Sequence, residues 1–110
     1  MVTYVLLLRN DPVGATQMLF HLVAGAAAYR EAVERFDGEL VGLYPVMGRY
    51  DVVAVVRFPS EAACAAFTLA STAQGQYAEQ LRVLDDADLG EAERLHEQAL
   101  RRAADAEAPQ

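Results

Sequence analysis

At 110 residues the chain carries one domain's worth of sequence, near the size at which a single core buries enough surface to fold alone. Apolar residues make up 54% of it, and the formal charge is −7 with arginine supplying every positive side chain. An acidic surface repels phosphate backbones, which argues against nucleic acid as a partner; the lack of lysine removes Schiff-base chemistry, and one cysteine, Cys64, makes neither an internal disulfide nor a thiolate zinc cluster.

So high an apolar share in so small a chain points to burial against a second copy. No stretch reaches the roughly twenty unbroken apolar residues of a membrane span, so no membrane partner is expected. Val2 to Leu8 is followed by Arg9-Asn10-Asp11-Pro12 rather than by a cleavage site, and the expected compartment is the cytoplasm.

Val2 to Leu8 is a continuous apolar run, the pattern of a strand covered on both faces. Arg9 to Gly14 is a turn, since Asp11-Pro12 disfavours helix and Gly14 closes it. From Ala15 to Phe36 the period is helical, with Met18, Leu22, Tyr29, Val33 and Phe36 near one stripe. Gly25 costs about 1 kcal/mol relative to Ala inside a helix. The expectation is therefore a short or irregular segment before Gly25 and a solid helix from Ala26 to Phe36, stopped by Asp37-Gly38.

Leu40 to Phe58 reads as a β-hairpin turning at Met47-Gly48-Arg49. Its second arm, Tyr50 to Phe58, is apolar on both faces apart from Asp51 and Arg57, so it too must be covered twice. Pro45 cannot donate to a ladder, which makes the first arm an edge strand or a bulged one. Ser60 is the N-cap of a second helix with Ala63, Ala66, Phe67 and Ala70 as its stripe and Gly75 as its end. Gln76 to Leu84 alternates in part and reads as a further edge strand. Asp88 and Glu91 have capping-box spacing for a last helix striped by Leu89, Ala92, Leu95, Ala99 and Ala103, with a frayed end from Ala104 to Gln110.

The order strand, helix, strand, strand, helix, strand, helix predicts an α+β chain. Residues 1–86 form a ferredoxin-like βαββαβ domain, and residues 87–110 a helical appendage. The two doubly apolar strands take the middle of that sheet. Helices cover one face only, so the open face is expected to pair with that of a second copy.

Gly48-Arg49-Tyr50-Asp51, leading from the hairpin into a buried strand, resembles the GYD-domain family of small bacterial proteins, as do Gly14, Gly38, Tyr44, Pro59 and Gly75 in their order. The resemblance runs from Tyr4 to about Leu84 and implies a ferredoxin-like subunit that pairs as a dimeric α/β barrel, with no generally established activity. The family's arginine ahead of the first long helix is replaced within Gly25-Ala26-Ala27-Ala28, and its threonine-rich last strand by Glu79-Gln80-Leu81, so no ligand role carries over there. The hairpin is also similar to that of the ligand-sensing domain of Lrp/AsnC regulators, without a helix-turn-helix in front of it. Antibiotic-biosynthesis monooxygenases and polyketide cyclases are related by fold analogy alone.

Asp51 is a carboxylate at the mouth of an apolar strand. Burial would raise its pKa and suit it to general acid or base work, whereas accepting backbone N–H groups would make it a turn-holding residue. His21 is the other candidate for proton transfer, against an ordinary helix histidine. Tyr4, Tyr44 and Tyr50, with Asp51, are the candidate polar lining of a ligand cavity, against core or interface packing with one satisfied hydroxyl each. Arg57 and Arg82 could meet a carboxylate ligand, against a solvated or salt-bridged role as the default. No metal site and no cofactor is expected, since neither paired metal carboxylates nor a phosphate-cradling glycine loop is present. The sequence thus supports a homodimer holding a small organic ligand between sheet and helices. Its rivals are a cofactor-free isomerase, cyclase or oxygenase using Asp51 or His21, and an interaction module working through the last helix.

Overall fold

A computed structural model describes residues 1–10 and 22–107. The turn predicted from Arg9 to Gly14 begins later than expected, since Arg9 and Asn10 still belong to the first strand, paired with Tyr77 and Gln76; its remainder, with Met18 and His21, lies outside the described residues. The chain runs β1 (Val2–Asn10), α1 (Leu22–Glu34), β2 (Glu39–Pro45), β3 (Val52–Phe58), α2 (Glu61–Ala73), β4 (Gln76–Arg82) and α3 (Asp86–Glu107). The strands form one antiparallel sheet in the order β2-β3-β1-β4. The doubly apolar segments are its central strands and the strand ending in Pro45 is an edge, as the sequence requires. Proline's missing donor does no harm there, because β2 pairs on one side only.

Period two sorts β1 and β3 into two faces. Tyr4, Leu6 and Leu8 of β1 and Val52, Ala54, Val56 and Phe58 of β3 are buried beneath the helices. α1 adds Tyr29 and Val33 to this core, and α2 adds Cys64 and Phe67. The Phe67 ring is central, with its centroid 5.5 Å from that of Tyr29, 6.0 Å from Phe36 and 5.4 Å from Phe58. Val5, Leu7, Val53 and Val55 point the other way and are only partly covered.

Helix ends follow local chemistry. The Ser60 hydroxyl accepts the Ala63 N–H at 3.2 Å, which caps α2 as predicted. Ala70 of its predicted stripe is exposed, and Cys64, one turn before Thr68, takes the inward place beside Phe67. α1 ends in a Schellman motif: Asp37 N–H donates to the Glu34 carbonyl at 3.0 Å and Gly38 N–H to the Val33 carbonyl at 3.1 Å. The left-handed residue is Asp37, at φ 59°, not the glycine. Gly38 is required for space, since a Cβ there would lie 2.6 Å from Phe58 Cε1 and 2.8 Å from Val33 Cγ1.

Two expectations about where helices begin are corrected. α1 starts at Leu22 and passes through Gly25, because the cost of one glycine is outweighed by the packing of Tyr29 and Val33 further along the same helix. A Cβ at Gly25 would meet nothing within 4 Å. Gly25→Ala is therefore expected to raise stability by about 0.5–1 kcal/mol, whereas Gly38→Ala lowers it by about 1–3 kcal/mol through overpacking. Urea unfolding midpoints of the two variants check both signs. β2, expected to be an edge strand or a bulged one, is both, its register shifting between Leu40 and Gly42. The reciprocal cap of the last helix is made by Asp85 and Asp88, each accepting the other's N–H at 2.8 and 3.2 Å, and not by Asp88 with Glu91. Glu91 instead holds Arg94 at 2.5 Å.

Unlike α1 and α2, α3 buries no residue. Its 22 residues make a rod of about 33 Å, and the molecule measures 71 × 29 × 21 Å. Leu89, Leu95 and Leu100 are half exposed or more along it. Helical order persists to Glu107, past the predicted fraying point. No described helix is long and apolar enough to cross a membrane.

Candidate functional site

The sheet separates the predicted site residues into two groups. Tyr4 lies on the helix-covered face, where it is 5% exposed. On the same side sits Tyr29, 7% exposed, and neither hydroxyl has a hydrogen-bond partner among the described residues. A buried phenol usually finds a partner, and leaving it without one costs about 1–3 kcal/mol. Cys64 lies near both rings, and its charge, were it ionised, would raise both phenols. Burial also pushes the Cys64 thiol above its ordinary value, so at neutral pH it is a protonated, small apolar side chain rather than a nucleophile.

Burial is the main cause of the raised pKa of Tyr29, followed by Cys64. The consequence for stability has a definite sign. Below pH ~10 the unfolded and folded chains both keep the phenolic proton. Above it the unfolded chain ionises first, so stability falls as pH climbs from there toward the folded value. Tyr29→Phe is expected to lose less stability than wild type between pH 8 and pH 11 (about the window in which a free phenol titrates), and to match or exceed it at pH 8. Denaturant midpoints at the two pH values test this.

Tyr44 and Tyr50 belong to the open side. Tyr44 pairs with Val53 on β3, is 56% exposed, and folds its ring back over Gly42, where a Cβ would meet its Cζ at 2.8 Å. Tyr50 precedes β3, and its hydroxyl donates to the Glu79 carboxylate on β4. That bond crosses the end of β1, which lies between the two strands. It is also the chief reason the Tyr50 phenol is raised, with Arg49 and Arg9 pulling the other way. The Arg49 guanidinium stands 5.8 Å from the Tyr50 ring centroid.

Asp51 is half-buried at the base of the hairpin. Its N–H donates to the Leu8 carbonyl at 2.8 Å and its own carbonyl accepts the Val46 N–H at 3.0 Å, so its backbone locks the turn to β1. The structure therefore brings Tyr50 and Asp51 to one end of the sheet, places Tyr44 on the edge strand, and puts Tyr4 on the opposite face. Arg82 is salt-bridged to Glu61 at 3.8 Å and Asp88 at 3.6 Å, tying β4 to the starts of α2 and α3. These exposed pairs add little stability.

Sequence reasoning missed Tyr29, Tyr77, Arg9, Arg49 and Glu79. Tyr29 was visible as the one residue of the α1 stripe with a polar tip. The other four meet only through the register, which sets Arg9 opposite Tyr77 and Leu7 opposite Glu79. No described group of His, Cys, Asp and Glu has the geometry to hold a metal ion.

A four-stranded antiparallel sheet in this order, with α1 and α2 on one face and no described helix on the other, defines a small α+β protein of the ferredoxin-like class. The family is more specific than the fold: a family model described as GYD domain matches residues 4–92, and the chain belongs to the GYD domain family. The match takes in β1 through the first turns of α3. No curated protein and no solved structure matches the chain.

Proposed function

We propose that this GYD-domain protein works as a homodimer, paired through the open sheet face, and holds a small organic molecule between sheet and helices. The observation that carries the ligand is the pair of buried phenols, Tyr4 from the central strand and Tyr29 from α1, whose hydroxyls lack partners among the described residues. A ligand with one or two acceptor oxygens, otherwise apolar, satisfies both donors and suits the Cys64 and Phe67 surroundings. The dimer is supported by Val5, Leu7, Val53 and Val55, which form an apolar strip on a face that no described helix covers.

Native mass spectrometry of the full chain tests the reading. The expected species is twice 12.0 kDa with an organic adduct that is lost when Tyr4 and Tyr29 are both replaced by Phe. A bare chain, or an adduct indifferent to both substitutions, sinks the ligand half of the proposal.

A second reading has its own observation. α3 buries nothing and carries Leu89, Leu95 and Leu100 in the open, which supports its pairing with the same helix of another copy. Deletion of residues 89–110 is then expected to lower the assembly state, and an unchanged state removes this reading.

A further inference from the structure

Arg9 ends β1 and Arg49 lies in the hairpin turn, yet both line one cleft of about 260 Å³ together with Leu7, Tyr50, Tyr77 and Glu79. Neither guanidinium has a carboxylate within salt-bridge distance among the described residues. In a chain of net charge −7 two such arginines lining one cleft are conspicuous, because acidic side chains are plentiful and none of the described ones takes them. Glu79, the one acid among the described lining residues, accepts the Tyr50 hydroxyl instead. That bond and the Arg49 contact fix the Tyr50 ring in the lining of the cleft. Tyr77, opposite Arg9, is 59% exposed and forms part of the same lining, and Leu7 supplies an apolar patch.

We propose that this cleft binds a small aromatic carboxylate, with Arg9 and Arg49 taking the carboxylate and Tyr50, Tyr77 and Leu7 taking the ring. Guanidinium forks match carboxylate geometry and pair with it more strongly than with neutral groups. Flanking phenol rings and a leucine favour a flat apolar body over a bare inorganic anion. The volume is below the ~300–1,000 Å³ of sites for drug-sized ligands, which limits the guest to about ten non-hydrogen atoms. The site lies on the open face, on the other side of the sheet from Tyr4 and Tyr29, and does not depend on the ligand proposed there. It sits toward the β4 margin of the face and shares only Leu7 with the apolar strip of the proposed dimer.

Calorimetric titration of the full chain with benzoate, inorganic phosphate and benzamidinium tests it. The expected result is saturable benzoate binding at millimolar Kd or tighter, with little uptake of the other two. Arg9→Gln and Arg49→Gln are each expected to weaken benzoate about tenfold, and Glu79→Gln to strengthen it severalfold by removing a like charge. Arg57→Gln makes the same charge change on the same face outside the cleft and should leave the affinity as it was. All four side chains are exposed, so circular dichroism should show the fold unchanged. Absence of saturation by about 20 mM benzoate, equal binding of phosphate or benzamidinium, or Arg9 and Arg49 variants that bind like wild type would each overturn the proposal.

Discussion

Replacing Val55 by Asp is expected to convert a species of twice 12.0 kDa into one of 12.0 kDa at sedimentation equilibrium. Val55 pairs with Val5 across the two central strands, and both point away from the helices. In a sheet-to-sheet dimer these residues lie near the middle of the contact, and a two-fold axis would bring the two new carboxylates into the same dry region. Desolvating an unpaired ion costs several kcal/mol even after relaxation, so the dimer should loosen by at least about 100-fold. The subunit itself should stay folded, because Val55 is no part of the core under α1 and α2. Wild type that sediments at 12.0 kDa at micromolar concentration, or a variant that stays paired, removes the face-to-face arrangement.

Phe67→Ala should be the most damaging single truncation on the helix side. The residue is 2% exposed and its ring meets Tyr29, Phe36 and Phe58, so it joins α2 to α1, to the chain following α1 and to the sheet. Truncating a buried Phe costs about 3–5 kcal/mol, from lost transfer energy and the cavity left behind. Against the 5–15 kcal/mol typical of whole domains, this is a large fraction, and the melting midpoint should fall by about 15 °C or more. Leu69→Ala, two residues on but 73% exposed, should stay within about 0.5 kcal/mol of wild type. A thermal melt of Phe67→Ala lying within a few degrees of wild type would mean that α2 does not pack on α1 and the sheet in the manner described.

Legibility in the sequence followed the range of each signal. Ser60 ahead of Glu61 marks a helix start within four residues, and it caps α2. Gly25 is an equally local signal, but it was overridden, because burial of Tyr29 and Val33 is worth more than one glycine costs. Asp85 and Asp88 share their reciprocal bonds three residues before the predicted pair, an ambiguity built into a run with acids at 85, 86, 88 and 91. The site was less legible than the fold. Tyr4, Tyr44, Tyr50 and Asp51 all stood out as polar tips on apolar strands, but which face each one takes depends on parity and register. Tyr50 lies before the start of β3, where strand alternation no longer holds, and its hydroxyl reaches Glu79.

The sequence by itself determined the element order, the two strands that must lie inside the sheet, the proline-bearing edge and the surplus of apolar side chains that leaves one face open. Those properties are sums over neighbouring residues, and period and composition express them directly. Only the tertiary structure decided that Tyr4 and Tyr29 share a buried layer with Cys64, and that Arg9, Arg49, Tyr50, Tyr77 and Glu79 converge on the opposite face. Those meetings are made by strand pairing between segments far apart in the chain, and no spacing along a single segment encodes which residue of one strand will stand beside which residue of another.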